Sequence, residues 1–257
     1  MIILVFDILA SMVDHKFVIV IPSYKNAKYY VKNLTSALAQ NYPSFRILYV
    51  DDCSPDNTGN LVEEFLKKND KHHKVKLTKN TERLGALRNL YDMIHSCEDD
   101  EVIVTLDGDD WLAHPNVLKK LNEVYQGDVL LTYGQYRSFP DNRIGCSRQI
   151  PMNVQQKGTY RKFPWCSSHL RSFKASLFKK IKKEHLLDSN GKFYPMGWDL
   201  AMMFPMLEMA GTRHRFVKDI LYIYNYENPI NDAKVNLQLQ QGTERILRAM
   251  APYKAIQ

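Results

Sequence analysis

The sequence lacks the spacings that identify the commonest metal and nucleotide sites. Its four cysteines, Cys53, Cys97, Cys146 and Cys166, contain no CxxC pair, which argues against a structural zinc site and gives no disulfide framework. Neither GxGxxG nor GxxxxGKS/T occurs, so a Rossmann dinucleotide site and a P-loop are both excluded. Cysteines without a disulfide pattern are typical of a reducing compartment, and we therefore predict a cytoplasmic protein.

Long apolar runs and single blocks of charge are missing as well. The apolar start, Met1 to Met12, is shorter than the ~20 residues that span a bilayer and carries no basic segment or cleavage site. We interpret it as an edge element or lead-in, and we predict no transmembrane segment. The net charge of +7 is spread over small groups of lysines, which favours a solvated basic surface, suited to anionic substrates, over nucleic-acid binding.

What the sequence does contain is a regular alternation of apolar and amphipathic segments. This alternation predicts an α/β fold in which right-handed crossover helices join the strands of a mostly parallel sheet. With 257 residues, of which 45% are hydrophobic, the chain is predicted to form one domain over residues 1–257. The first four predicted strands lie at 17–21, 46–50, 75–77 and 102–106.

The second half of the chain has a less regular pattern. We predict strands at 128–133, 164–173 and 222–226, and a long loop with at most one strand over 137–161. An apolar helix is predicted to end before Gly211, and a final amphipathic helix lies near 236–250.

The most informative segment is the strand that ends in Asp107-Gly108-Asp109-Asp110. Carboxylates this close repel one another unless a cation lies among them or one keeps its proton. Hard oxygen ligands suit Mg²⁺ or Mn²⁺, especially when phosphate oxygens complete the coordination. The alternative is an ordinary polar turn. An EF-hand fits poorly, because glycine stands second in this segment and that loop needs it sixth.

Other polar groups follow the remaining predicted strands. Tyr24 follows the first strand, Asp51 and Asp52 the second, and Arg83 the third, while the Asp107–Asp109 segment follows the fourth. Parallel strands share one carboxyl edge, and open α/β sheets bind ligands there. A shared binding site is therefore the better interpretation than a set of unrelated turns.

Four segments in this order resemble glycosyltransferase family two over about residues 16 to 230: Val18–Asn26, Tyr49–Asp56, Asn80–Asn89 and Leu106–Leu112. The resemblance implies the GT-A fold, an α/β/α sandwich with a mostly parallel central sheet. It also implies a nucleotide-sugar-binding half at 16–112 and an acceptor-binding half at 113–257, the latter with the C-terminal helix.

The resemblance further implies a metal-dependent inverting glycosyltransferase. Such an enzyme would move a hexose from a UDP-sugar to an acceptor hydroxyl by direct displacement, and its acceptor could be a glycan, a lipid or a protein. Asp107 and Asp109, which form a DXD motif, would hold Mn²⁺ or Mg²⁺, and Asp107 could instead reach the ribose.

The donor-binding residues follow from the same resemblance. Pro22 and Tyr24 would line the base pocket. Asp52 would accept a hydrogen bond from uracil, and Arg83 would contact the base or a phosphate.

On the acceptor side, the resemblance implies that Asp199 is the general base, since direct displacement needs a group that takes the acceptor proton. Alternatively, Asp199 only complements the start of a helix. His169 and Trp198 would contact the acceptor, although each could equally be a core residue, as could Trp165.

One departure from the family pattern leaves a second function open. Asn225 occupies the position where many relatives carry an arginine, and no histidine follows it. The rival interpretation is a catalytically inactive nucleotide-sugar-binding module of the same fold. A nucleotidylyltransferase is a weaker rival, because the loop after the first strand lacks glycine and arginine.

Overall fold

A computed structural model describes residues 13–229 and 237–256, so the predicted edge element at 1–12 lies outside the described residues. Among the described residues, none of the helices combines the length and apolarity needed to cross a bilayer. The strands are β1 Phe17–Ser23, β2 Phe45–Asp51, β3 Val75–Lys79, β4 Val102–Thr105, β5 Trp111–Leu112, β6 Leu131–Phe139, β7 Ser172–Lys174 and β8 His214–Asn225. The helices are α1 Tyr30–Leu38, α2 Thr58–Asn69, α3 Ala86–His95, α4 Val117–Val124, α5 Met152–Lys157, α6 Ala175–Phe178, α7 Trp198–Ala210 and α8 Leu237–Ala249, with 3-10 turns at Tyr160–Lys162 and Lys183–Leu186.

The strands form one sheet in the order β3-β2-β1-β4-β7-β6-β8-β5. The first four strands are parallel, as predicted. The first three end level with one another, with Ser23 of β1 beside Asp51 of β2 and Asp51 beside Lys79 of β3, whereas β4 ends earlier, with Thr105 beside Val20 of β1. The second half is mixed, because β7 runs antiparallel to both β4 and β6, whereas β6 and β8 are parallel.

Helices cover both faces of the sheet, which confirms the predicted sandwich. Alternate residues of β1 point to opposite faces, so that Val18 and Val20 join one hydrophobic cluster while Ile19 and Ile21 join the other. Helices α3, α6 and α7 pack in the first cluster, and α1, α2 and α4 pack in the second. Burial on both faces explains why these strands are apolar throughout.

The boundaries predicted for the second half were partly wrong. The strand predicted at 128–133 runs instead over Leu131–Phe139, the strand predicted at 164–173 is only Ser172–Lys174, and the strand predicted at 222–226 begins at His214. The predicted loop at 137–161 contains the end of β6 and helix α5. The alternation of polar and apolar residues is weak in these strands, because polar side chains such as Thr132 and Ser172 are buried and hydrogen-bonded to each other. The apolar helix is confirmed as α7, which is buried on nearly all sides.

Candidate active site

A cavity of about 430 Å³ lies at the carboxyl edge of the parallel strands. Both halves of the chain contribute to it, which is the arrangement expected at the ligand-binding edge of an open α/β sheet. Its wall combines acidic, basic, amide and aromatic side chains. The lining residues are Pro22, Ser23, Tyr24, Asn26, Asp52, Arg83, Leu84, Gly85, Ala86, Asn89, Asp107, Gly108, Asp109, Asp110, Pro195, Trp198, Tyr224 and Asn228.

The acidic turn is held tightly against the end of β1. A Cβ atom on Gly108 would lie 2.5 Å from Asn26 Nδ2 and 2.8 Å from Ser23 Oγ, so only glycine fits at this close approach. The buried Asn33 side chain donates hydrogen bonds through Nδ2 to the carbonyl oxygens of Asp107 and Asp110, at 2.9 and 2.8 Å. The turn is therefore fixed before any ligand binds.

Asp110 anchors this turn to β8. Its Oδ2 accepts a hydrogen bond from the Tyr222 hydroxyl at 2.6 Å, and its Oδ1 accepts one from the Asn225 backbone N–H at 2.7 Å. Burial raises the pKa of Asp110 well above its usual value, and the charges of Asp109 and Asp107 raise it further. Both oxygens of Asp110 are thus engaged by the protein, which leaves Asp107 and Asp109 as the candidate ligands.

Asp109 is a second carboxylate of the acidic turn that lines the cavity. Burial raises its pKa, and the hydrogen bond that Asn228 Nδ2 donates to Asp109 Oδ2 at 2.7 Å offsets that effect only in part. Asn225 Nδ2 donates to the Asp109 carbonyl at 3.1 Å. The residue at the family's arginine position therefore supports the acidic turn in this chain.

The carboxylate oxygens of this turn suit a divalent cation that also binds phosphate. Among residues 13–229 and 237–256, no group of three or more His, Cys, Asp or Glu side chains could hold a metal ion alone. Mg²⁺ in phosphate-binding sites commonly uses one or two carboxylates and takes its other ligands from phosphate and water. Within the described residues, neither Asp109 nor Asp110 forms an ion pair with a basic side chain, so Asp109 remains available to balance a cation.

The cavity wall also carries the aromatic ring of Tyr24, and two basic side chains contact this ring. The Arg83 guanidinium lies 3.9 Å from the centre of the Tyr24 ring, and Lys25 Nζ lies 5.4 Å from it. Such cation–π contacts pre-position a basic group beside a flat apolar surface. Pro22 lines the cavity next to this ring. A planar base and a negatively charged phosphate both match this part of the wall.

Asp52 organises the loop that carries Arg83. Its oxygens accept hydrogen bonds from the backbone N–H groups of Leu84 and Gly85 and from Asn80 Nδ2, each at 2.8 Å. Burial raises the pKa of Asp52, but the amide groups of Asn89, Asn80, Leu84 and Gly85 outweigh burial and hold that pKa below its usual value. Asp52 therefore remains ionised while lining the cavity.

The start of helix α7 contributes another part of the cavity wall. Trp198, the first residue of that helix, lines the cavity, and Gly197 precedes it with a φ of 66°, a conformation that favours glycine. Asp199 follows Trp198 but does not itself form part of the cavity wall. Its side chain is 22% exposed, and its Oδ2 accepts a hydrogen bond from Arg171 Nη2 at 3.2 Å.

His169 lies behind the wall and does not line the cavity. Its ring stacks on Tyr222 with centroids 4.5 Å apart, and its Nδ1 lies 3.3 Å from Arg171 Nη1. Burial lowers the pKa of His169 well below its usual value, and the Arg171 charge lowers it further, so the imidazole is neutral at pH 7. The geometry gives the predicted acceptor contact of His169 no support.

The residues that sequence reasoning missed are those that act on other protein groups. Arg171 reaches Asp199, Tyr222 reaches Asp110, and Asn228 reaches Asp109. Each lies far along the chain from its partner, so no local spacing connects them.

Comparison with known proteins places this geometry in a family. A model described as Glycosyl transferase family 2 matches residues 18–185, more than half of the chain. The chain belongs to glycosyltransferase family 2. The relatives of this family 2 protein include Glycosyltransferase GlyG of Streptococcus pneumoniae serotype 4, with 26% identity over 80% of this chain and 69% of GlyG.

Solved structures confirm the GT-A type of α/β fold. Staphylococcus aureus TarS 1-349 in complex with UDP-GlcNAc has a TM-score of 0.66 and 15% identity, covering 90% of this chain and 65% of TarS. The mannosyltransferase PcManGT from Pyrobaculum calidifontis, in complex with GDP-Man and Mn²⁺, has a TM-score of 0.55 and 18% identity, covering 81% of this chain and 56% of PcManGT. This chain therefore spans less than two thirds of the length of either of these proteins.

Proposed function

We propose that this family 2 protein is a metal-dependent, inverting transferase that moves a hexose from a UDP-sugar to an acceptor hydroxyl. The observation that carries the proposal is that one cavity is lined by Tyr24 and Arg83, by Asp107 and Asp109, and by Trp198 at the start of α7. These three groups of residues suit a base, a metal-bound diphosphate, and a sugar or acceptor.

The donor would enter base first. The ring of Tyr24 and the adjacent Pro22 offer flat apolar surface to uracil, and the Asp52 carboxylate, which lines the cavity, would accept a hydrogen bond from its ring N–H. Arg83, whose guanidinium lies over Tyr24, would meet the base or the first phosphate.

Asp107 and Asp109 would hold Mn²⁺ or Mg²⁺, and Asp107 could in addition reach the ribose. When bound, the cation would stabilise the negative charge that develops on the departing diphosphate. The fixed turn around Gly108 keeps both carboxylates in place without rearrangement, which is the condition for strong electrostatic stabilisation.

Asp199 would act as the general base. As the acceptor oxygen bonds to the anomeric carbon, its hydroxyl proton passes to the Asp199 carboxylate, and the bond from that carbon to the diphosphate oxygen breaks so that UDP leaves. Attack opposite the leaving group inverts the configuration. Trp198 would present its ring to the sugar or acceptor.

Turnover distinguishes this function from that of an inactive binding module. We expect UDP release from a UDP-sugar with Mn²⁺, slow with water as acceptor and faster with a suitable hydroxyl, and lost in Asp199→Asn. Tight UDP-sugar binding without UDP release from any donor would instead support the binding module. The support for that rival has weakened, because Asn225 has a structural task at the acidic turn. The cytoplasmic location stays a prediction from the cysteine pattern. The proposed acceptor is a glycan, a lipid or a protein.

A further inference from the structure

We infer that Arg171 is a positioning residue for transfer, which holds the Asp199 carboxylate in the orientation that a base requires. This inference rests on the proposed function, because it gives Arg171 a task only if Asp199 takes the acceptor proton. It assigns a role to a residue that does not line the cavity and lies behind its wall.

The two oxygens of Asp199 are held from different directions. Arg171 Nη2 donates to Oδ2 at 3.2 Å, and the backbone N–H of Leu200 donates to Oδ1 at 2.9 Å. The Arg171 side chain is 2% exposed, whereas that of Asp199 is 22% exposed. One side of the carboxylate is therefore fixed in the interior, and the other side remains open to an acceptor or to solvent.

Arg171 is itself held rigidly. Its carbonyl oxygen accepts the Thr105 backbone N–H at 3.1 Å, directly before the acidic turn, and its Nη1 lies against the neutral ring of His169. Its guanidinium carbon lies 5.6 Å from the centre of the Trp198 ring. A residue tied both to β4 and to the start of α7 can fix the distance between the donor and acceptor sides.

A second buried arginine shows what a purely structural ion pair looks like in this chain. Arg161 binds Glu208 through two parallel hydrogen bonds of 2.6 and 2.9 Å, and its Nη1 donates to the Leu247 carbonyl. That pair is buried on both sides, with 7% and 1% exposure. The Arg171–Asp199 pair instead has one charge-assisted bond, an open carboxylate, and an arginine Nε that lacks an acceptor within the described residues.

The difference in exposure has a chemical consequence. The Asp199 side chain is 22% exposed, so an acceptor hydroxyl can approach the carboxylate that Arg171 and Leu200 hold in place. The Glu208 side chain is 1% exposed, so its carboxylate is closed to an acceptor.

The test compares Arg171→Met with Arg171→Lys, using the kcat and donor KM of UDP-sugar turnover. For Arg171→Met we expect kcat to fall ~10- to 100-fold with donor KM within about twofold, since general base catalysis is worth that much or more. Arg171→Lys keeps the charge and should recover part of the rate.

Arg161→Met is the matched control. It removes a buried arginine of similar exposure, and it should lower the melting temperature while leaving the kcat of the folded protein unchanged. Should Arg171→Met fail to fold, the loss of kcat in Arg171→Lys is measured alone and in the Asp199→Asn background. The inference predicts a loss in the wild-type background that vanishes in the Asp199→Asn background.

The outcomes separate this inference from the proposed function. Loss of activity in Asp199→Asn together with unchanged kcat in both Arg171 variants overturns the role of Arg171 and leaves the function standing. Full activity in Asp199→Asn means that the base lies elsewhere, and it overturns the proposed mechanism before Arg171 is considered.

Discussion

The proposed donor end and the proposed acceptor end of the cavity are built in different ways. At the donor end, short loops follow parallel strands, and carboxylates such as Asp52 and Asp110 bind the backbone groups of neighbouring loops. At the acceptor end, Asp199 starts a buried helix and depends on Arg171, which lies beside antiparallel strands. The first design places functional residues at strand ends, where sequence patterns reveal them, whereas the second depends on contacts between distant parts of the chain.

A row of buried contacts connects the two ends. Asp110 accepts from Tyr222, the Tyr222 ring stacks on His169, and His169 meets Arg171, which binds Asp199. Each member is either hydrogen-bonded or stacked on the next. Asp110 lines the cavity and the other four members do not, and the row sets the position of the acidic turn relative to the candidate base.

The largest expected effect is at the donor end. Asp109→Ala should weaken Mn²⁺-dependent UDP binding by at least ~100-fold, since it removes a proposed metal ligand. Calorimetric titration of UDP with and without Mn²⁺ measures this loss. Asp100→Ala is the control, because Asp100 is an exposed acid that forms only a 3.9 Å contact with Lys16. Unchanged UDP binding with Mn²⁺ in Asp109→Ala would show that the donor end works without this carboxylate.

The next effect belongs to the acceptor end and should leave the donor end intact. Asp199→Asn keeps the size of the side chain but removes its basicity, so we expect transfer to fall by ~100-fold or more. UDP-sugar affinity should change less than twofold, because Asp199 does not line the cavity. A parallel loss of donor affinity would mean that the two ends are not separable in the way described.

A smaller effect tests whether Asp52 contacts the base or only organises its loop. Asp52→Ala leaves the N–H groups of Leu84 and Gly85 without their acceptor, and each such loss costs about 1–3 kcal/mol of stability. UDP affinity should also fall roughly tenfold, equivalent to about 1.4 kcal/mol. Titration with pyrophosphate and Mn²⁺ is the control, and its affinity should stay unchanged. Equal losses for UDP and pyrophosphate would argue against base contact.

The smallest expected effect is a difference between His214 and Asp52 in the pH range over which each affects the free energy of unfolding. Burial lowers the pKa of His214, in the acceptor half, from 6.5 to about 4, with Arg215 adding to the effect. Between these values the unfolded chain binds more protons than the folded protein, so stability should fall as pH drops from 6.5 towards 4. Asp52 at the donor end has a lowered pKa, so its contribution is lost only at still lower pH, as that carboxylate takes up a proton.

Thermal melts across this pH range test the assignment. His214→Gln removes the titrating group but keeps a polar partner for the Tyr160 hydroxyl, which lies 3.1 Å from His214 Nε2. The variant should lose less stability than the wild type on acidification from pH 6.5, leaving the share that His169 contributes. An identical pH dependence in the two proteins would show that His214 does not account for the acid response.

The sequence predicted the donor end well because its physics is local. An apolar strand followed by Asp107-Gly108-Asp109 fixes both the strand and the turn, and Gly108 is required by its contact with Ser23 and Asn26. The α/β class and the parallel half of the sheet followed from the same alternation of segments. The DXD, Tyr24, Asp52 and Arg83 positions all reached one cavity, although their binding roles stay predictions.

The acceptor end could not be predicted to the same depth, because its geometry depends on tertiary packing. β7 has three residues, and its antiparallel direction has no local signal. His169 was predicted to contact the acceptor, but it packs against Tyr222 behind the wall. Arg171 looked like an ordinary strand cation until its distance to Asp199 was known.

The measurement that tests the central claim most directly is a thermal-shift panel of UDP-, GDP-, CMP- and dTDP-sugars, each with and without Mn²⁺. A ligand that binds the folded protein raises its melting temperature by mass action. The account predicts that UDP-sugars stabilise the protein, that they do so only with Mn²⁺, and that Asp109→Ala abolishes the shift. Stabilisation without metal, a preference for another nucleotide, or no shift with any donor would contradict it.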